Sequence, residues 1–177
     1  MNLVHFCVPE IETRRLRLRL PKASDLPAVE AFRTSDRSAG VGGPYAAGTS
    51  FHYMSAVIGQ WQLRGYGRWI VADKDTDQPF GLVGIYHPED WPEAEIGWSI
   101  FAPSAEGRGI AHEAALASRD FAYKTLGWNR IVSLVMPQNT RSIALAERMG
   151  CQKTTRFDHP TYGALDIWVH ATPEALQ

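Results

Sequence analysis

SAEGRGIAHEAA, residues Ser104 to Ala115, reads as the joint between a strand and a helix. Upstream, Glu95 to Phe101 has the character of a strand. Downstream, Gly109 to Leu126 carries Ile110, Ala114, Ala117 and Phe121 on one helix face, and Gly127 is a natural stop. Arg130 to Met136 follows as a buried-looking strand. A strand, a helix and a strand in this order predict a right-handed parallel crossover from Glu95 to Met136 within a mixed sheet. Gly107 and Gly109 let the joint turn tightly and keep side chains away from its amides. A helix start of this kind offers unpaired N–H groups and the positive end of a dipole, a site suited to a pyrophosphate. Neither the Rossmann glycine spacing nor the Gly-Lys-Ser/Thr of a P-loop is present.

Working outward, Arg14 to Leu20 (RRLRLRL) alternates leucines with arginines, the period of a half-buried strand with a solvated basic face. Ser24 and Asp25 are placed to cap a first helix with Leu26, Val29 and Phe32 on its inner face. A glycine-rich loop spans Ala39 to Gly48, and a second helix is predicted from Thr49 to Leu63. Arg68 to Asp73 and Phe80 to Tyr86 read as strands of an antiparallel meander that continues into Glu95 to Phe101. After the crossover, Asn139 is placed to cap a short helix ending at Gly150, and Gln152 to Phe157 and Leu165 to His170 close the chain as strands. The order is β-α-α-β-β-β-α-β-α-β-β.

The 177 residues predict one domain, residues 1–177 with a core of about 12–170. A chain of this size buries enough surface to fold without disulfides or metal. Eighteen basic against nineteen acidic residues give a net charge of −1, which argues against a strongly basic nucleic-acid binder. Cys7 and Cys151 match no metal-ligand spacing, so neither a zinc module nor a disulfide scaffold is expected. No apolar run approaches the roughly 20 residues of a membrane span. A cytoplasmic protein is the expectation, with no metal, no membrane and no nucleic-acid partner, and with room for a homodimer.

Three blocks together carry a resemblance. Glu106-Gly107-Arg108-Gly109-Ile110-Ala111 is similar to motif A (Gln/Arg-x-x-Gly-x-Gly/Ala) of the GCN5-related N-acetyltransferase (GNAT) superfamily. The strand EIGWSIFAP (Glu95 to Pro103) precedes it, and NTRSIALAERMG (Asn139 to Gly150) resembles the family's Asn-x-x-Ser/Ala-x-x-Leu block. ETRRLRLR (Glu12 to Arg19) resembles the first strand of the ribosomal-protein alanine acetyltransferase branch. The resemblance implies an α/β (α+β) GNAT fold. Its central sheet is mixed and mostly antiparallel, with helices on both faces, and splays between the fourth and fifth strands of the order above.

The resemblance also implies chemistry: an amine attacks the thioester of acetyl-coenzyme A directly. Backbone groups of Ile100, Phe101 and Ala102 are expected to pair with pantetheine and hold the thioester carbonyl. Amides of Gly107, Arg108, Gly109, Ile110 and Ala111 are expected to hold the pyrophosphate. Asn139 is expected to bond the pantetheine arm while capping its helix, with Ser142 near the sulfur. Only about one α-amino group in ten is neutral at pH 7, and about one lysine in a few thousand, so a base is useful. Glu95, acting through a water, is the candidate; its alternative is an ordinary strand carboxylate paired with an arginine. The acceptor site implied by the family comprises Tyr45, His52, Tyr53, Trp98, His159 and Tyr162.

Two departures stand out. Glu106 replaces Gln or Arg, and it is expected to point to solvent with Arg108 partly offsetting its charge. Ala146 stands where many members carry a tyrosine that protonates the thiolate, leaving that role to Ser142 or water. Two further functions stay open at this point: a coenzyme A-binding module without turnover, and a ribosome- or RNA-associated protein using Arg14 to Arg19.

Overall fold

The computed structural model describes residues 8–176; Cys7 lies outside them. Eight strands form one sheet in the order β1-β2-β3-β4-β5-β6-β8-β7. They are β1 (Ile11–Glu12), β2 (Leu16–Arg19), β3 (Arg68–Asp73), β4 (Pro79–Tyr86), β5 (Glu95–Ile100), β6 (Val132–Val135), β7 (Gln152–His159) and β8 (Gly163–Val169). Every pairing is antiparallel except β5 with β6. That junction is a single parallel register pair, Glu95 opposite Val132, beyond which the two strands part. The expected splay therefore lies between β5 and β6. The two-residue β1 escaped the sequence reading because it is too short to show alternation.

The helices are α1 (Leu26–Arg33), α2 (Ser50–Arg64), α3 (Ile110–Asp120, continued by a π-turn over Phe121–Thr125) and α4 (Thr140–Arg148). They cover both faces. On one face, Val29 and Phe32 of α1 and Met54 and Val57 of α2 pack on Ile70, Ala72 and Leu82. On the other, Ile110, Ala114 and Ala115 of α3 and Leu145 and Ala146 of α4 pack with Val71, Val83 and Ile96. The alternation of β3, with Ile70 and Ala72 facing one way and Trp69 and Val71 the other, makes a strand apolar on both faces. Among the described residues no helix is long and apolar enough to cross a membrane.

The basic strand is not simply a solvated face. Arg19 is 2% exposed and donates to both carboxylate oxygens of Asp25, at 2.8 and 2.9 Å, and to Asp77 at 2.7 Å. Asp25 consequently does not cap α1 with its side chain; it accepts from Arg19 and from the Lys22 amide instead. Arg15 donates to Glu113 in the first turn of α3 (2.7 Å) and to the Arg108 carbonyl (2.9 Å), tying β2 to the glycine loop. Alternation alone does not reveal these partners, because all of them come from elsewhere in the chain.

Candidate active site

The site grows from the parting of β5 and β6. Beyond Glu95–Val132, the next amide of β6 that faces β5 is that of Leu134, and it donates to the Glu95 carboxylate at 2.8 Å. A side chain thus stands where a backbone acceptor would continue the ladder, and the strands separate around it. Glu95 is 7% exposed. Burial pushes its pKa up to about 7, against the Leu134 hydrogen bond and the positive charge of Arg68, which lower it. It forms no ion pair among the described residues, so it is not an ordinary arginine-paired strand carboxylate.

The edge of β5 exposed by the splay follows from register. Phe101 donates to the Phe80 carbonyl at 2.7 Å, which places Phe101, Ser99 and Gly97 in the hydrogen-bonded pairs with β4. The backbone groups of Trp98 and Ile100 therefore face the opening. This corrects the expectation for the segment from Ile100 to Ala102: the amides of Phe101 and Ala102 are both engaged by Phe80. Ile100 stays on the open edge and Trp98 joins it. Arg37 meanwhile donates to the carbonyls of Ile100 (3.1 Å) and Phe101.

One cavity, of about 630 Å³, runs from this edge to the glycine loop. Gly107 and Gly109 adopt φ of +71° and +73°, a left-handed conformation that strains residues with a Cβ. The first intrahelical bond of α3 is from Glu113 to the Gly109 carbonyl, so the amides of Ile110, Ala111 and His112 have no acceptor within the helix. A Cβ at Gly107 would meet nothing within 4 Å, so the space before the turn is open. Arg108 turns away, its side chain donating to the Ser104 carbonyl at 3.4 Å. Glu106 does not point into free solvent with Arg108 as its partner. It bridges Arg37 and Arg141 (2.8 Å to the latter), and these cations hold its pKa below the ordinary value. The carboxylate expected to repel a phosphate is thereby neutralised by residues from two different segments.

A second cavity, of about 130 Å³, lies over Glu95. It meets the first where Gly40, Trp98, Asn139 and Ser142 line both. Asn139 caps α4 by accepting from the Ser142 amide (3.1 Å) and donates to the Gly40 carbonyl (3.1 Å). Gly40 is a glycine for space: a Cβ there would stand 2.5 Å from the Asn139 amide nitrogen. The glycine-rich loop is thus closed down onto α4 as a roof. Ser142 Oγ accepts from the Trp98 indole at 3.0 Å, which leaves the hydroxyl proton for another acceptor. Ala146 is fully buried in the core and does not line either cavity. The position that resembles the family's tyrosine therefore faces the core, and only Ser142 of this pair reaches the groove.

Of the expected acceptor residues, Tyr45, Tyr53, Trp98 and Tyr162 line the second cavity. His52 does not; it sits exposed on the outer side of α2, two residues from the buried Ser50 and Met54. His159 lies behind the wall: its Nε2 pairs with Asp90 at 3.0 Å, its Nδ1 accepts from the Thr161 amide, and its ring backs Trp91 and Tyr162. The sequence reading missed Arg33, Arg68 and Tyr86, which also line it. A signal existed for Arg33, since it continues the apolar stripe of Leu26 and Val29 at helical spacing.

With this geometry in view, comparison with known proteins places the chain. The profile described as the acetyltransferase (GNAT) domain matches residues 15–152. The chain belongs to the GNAT acetyltransferase family. A crystal structure of an acetyltransferase from Agrobacterium tumefaciens superposes with a TM-score of 0.85 at 35% identity, covering 96% of this chain and 98% of that one. The uncharacterized N-acetyltransferase p20 of Bacillus licheniformis is 32% identical over 102 residues, 56% of this chain and 57% of p20. The chain spans about half the length of three of the curated relatives it matches. RimL, a ribosomal L7/L12 alpha-N-protein acetyltransferase solved with coenzyme A, shares the fold with a TM-score of 0.74 at 17% identity, over 92% of this chain and 98% of that one.

Proposed function

We propose that this chain transfers an acetyl group from acetyl-coenzyme A to a primary amine. The observation that carries the reading is the meeting of two cavities at Trp98, Asn139 and Ser142, one ending on free helix amides and the other on a buried carboxyl. The donor set fits coenzyme A: an anion-ready helix start with open space before it, and an exposed strand edge at Trp98 and Ile100 for an extended amide-bearing arm. RimL, with the same fold, has been captured with coenzyme A. When bound, acetyl-coenzyme A supplies an activated acyl group. The amides of Ile110, Ala111 and His112 hold its phosphates, and Asn139 and Ser142 flank the junction between the cavities.

Glu95 receives the proton of the incoming ammonium, directly or through one water. A group with a pKa near 7 is half ionised at neutral pH, the range in which a general base works best. Arg37 must release at least the Ile100 carbonyl if the strand edge is to be used. The acceptor is a small amine or a protein N-terminus.

The test is thiol release from acetyl-coenzyme A against a panel of amines, with thermal shift run alongside. Amine-dependent thiol release is expected. Stabilisation by coenzyme A without thiol release for any amine would leave a binding module, and no stabilisation at all would remove the ligand altogether.

A further inference from the structure

The second cavity has one wall built as an alternating stack. Tyr86, Arg68, Tyr53, Arg33 and Tyr45 follow one another, with guanidinium-to-ring-centroid distances of 4.2, 5.2, 4.0 and 4.0 Å. Rings cover the flat faces of the two guanidiniums, while their N–H donors lie in the plane between. Few of those donors are used. Arg68 gives one to the Tyr53 hydroxyl at 3.0 Å. Arg33 has only a 3.4 Å contact to Thr49 Oγ1, and its Nε is buried without a partner although the residue is just 9% exposed.

Among the described residues neither arginine meets a carboxylate. The acids within electrostatic reach are Glu95, within the same cavity, and Glu30, which is occupied by the Gly48 amide at 2.7 Å. The phenols of Tyr45 and Tyr86 are pushed up to about 12 by burial and carry no charge near neutral pH. Of the other two buried guanidiniums, Arg19 has two carboxylates, whereas Arg119 donates to the Met149 carbonyl, leaves its Nε without a partner and lines neither cavity. Two cations held in place by stacking, with in-plane donors free, are the geometry that receives a planar anion in bidentate fashion.

Resting on the acetyl-transfer reading, we propose that the acceptor is a primary amine carrying a carboxylate, with the carboxylate seated on Arg33 and Arg68 and the amine directed to Glu95. The carboxylate belongs either to a free amino acid or to the acidic side chain of a peptide N-terminus.

The experiment compares matched pairs. L-Tyrosine and L-tryptophan are set against tyramine and tryptamine, and aspartyl-alanine amide against seryl-alanine amide, with kcat/KM from thiol release. Binding of the same compounds is read by calorimetry without acetyl-coenzyme A. A preference of about 10- to 100-fold for the carboxylate-bearing member is expected, the range of one charge-assisted bidentate contact. Whether the free amino acids or the aspartyl peptide show it identifies the source of the carboxylate. In R68Q the ratio collapses towards one, and in R33Q as well; being a ratio, it is insensitive to a general loss of activity or folded fraction. Should R33Q not fold, R68Q decides alone, since Arg68 is only partly buried. Thiol release without any carboxylate preference overturns this inference and leaves acetyl transfer standing. Carboxylate-selective binding, lost in R68Q, with no thiol release from any amine keeps the anion site and removes acetyl transfer. Neither binding nor turnover preference removes the anion site.

Discussion

The two cavities either side of Trp98 handle arginine in opposite ways. In the groove running to the glycine loop, Arg37 and Arg141 are spent on Glu106, and Arg15 beside it on Glu113 and the Arg108 carbonyl, while Arg148 lines the groove exposed and without an ion pair among the described residues. The anion-binding donors left there are the backbone amides at the start of α3 and, at the exposed margin, Arg148. In the tyrosine-walled cavity the guanidiniums are stacked on rings, and side-chain donors are what remain. Amides fixed by a helix start suit a ligand part common to every turnover. Side chains suit the part that distinguishes one acceptor from another, because a substitution there does not disturb the fold's backbone.

The largest break of this contrast is expected at the carboxyl between the cavities. Glu95→Gln keeps an acceptor for the Leu134 amide but removes the proton acceptor, and the acetylation rate near neutral pH is expected to fall about 10²-fold. Both profiles of kcat/KM should rise with pH as the amine loses its proton, but only the wild type should carry a further inflection near pH 7; a variant that keeps that inflection would end the role of Glu95 as base. The same group acts on stability. Its folded pKa lies above the ordinary value of 4.5, so the native state holds the proton longer and stability is lost as pH climbs from 4.5 to 7, by an amount on the order of 3 kcal/mol. Buried His170, lowered to about 3 by burial, slopes the other way below pH 6.5. The wild-type minus Glu95→Gln difference in unfolding free energy cancels that term, and it should decline over this window.

A smaller break targets the groove alone. Gly109→Asp places a carboxylate at the start of α3 and forces a Cβ into φ of +73°. Coenzyme A affinity is expected to drop tenfold or more, roughly, and stability by about 1–2 kcal/mol, while binding of amines in the other cavity by calorimetry is unchanged. Retained coenzyme A affinity would detach the motif from the ligand.

Next is the roof at the junction. Asn139→Ala removes the cap of α4 and the bond to Gly40, so a loss of about 1 kcal/mol is expected in chemical denaturation, together with weaker coenzyme A binding. A change in stability with unaltered affinity would reduce Asn139 to a cap.

The smallest effect sharpens the contrast. Glu106→Gln frees Arg37 and Arg141 within the groove, and coenzyme A should bind a few-fold more tightly, roughly, with the gain vanishing at high salt. Weaker binding would mean that Glu106 organises the groove instead.

Local pattern was enough for the elements and the helix start. The apolar run inside Arg68 to Asp73, the helical spacing from Ile110 to Phe121 and the two glycines of the turn depend on near neighbours, and the folded chain keeps all three. The Asn139 cap was legible for the same reason. What sequence left open was decided between segments distant in the chain. Arg19 found Asp77, Glu106 found Arg37, and Glu95 took the Leu134 amide. Partner identity depends on which loops the sheet brings together, and no periodicity encodes it. Position 146 shows the same limit: a motif fixes spacing along α4, but which side of that helix meets the groove is set by how it packs on the sheet. The stack from Tyr86 to Tyr45 joins side chains from α1, α2, β3, β4 and the glycine-rich loop. Only the closed fold brings those two arginines to the same tyrosine ring, Tyr53, without a carboxylate, because burial, not sequence proximity, decides which charges are left to face a ligand.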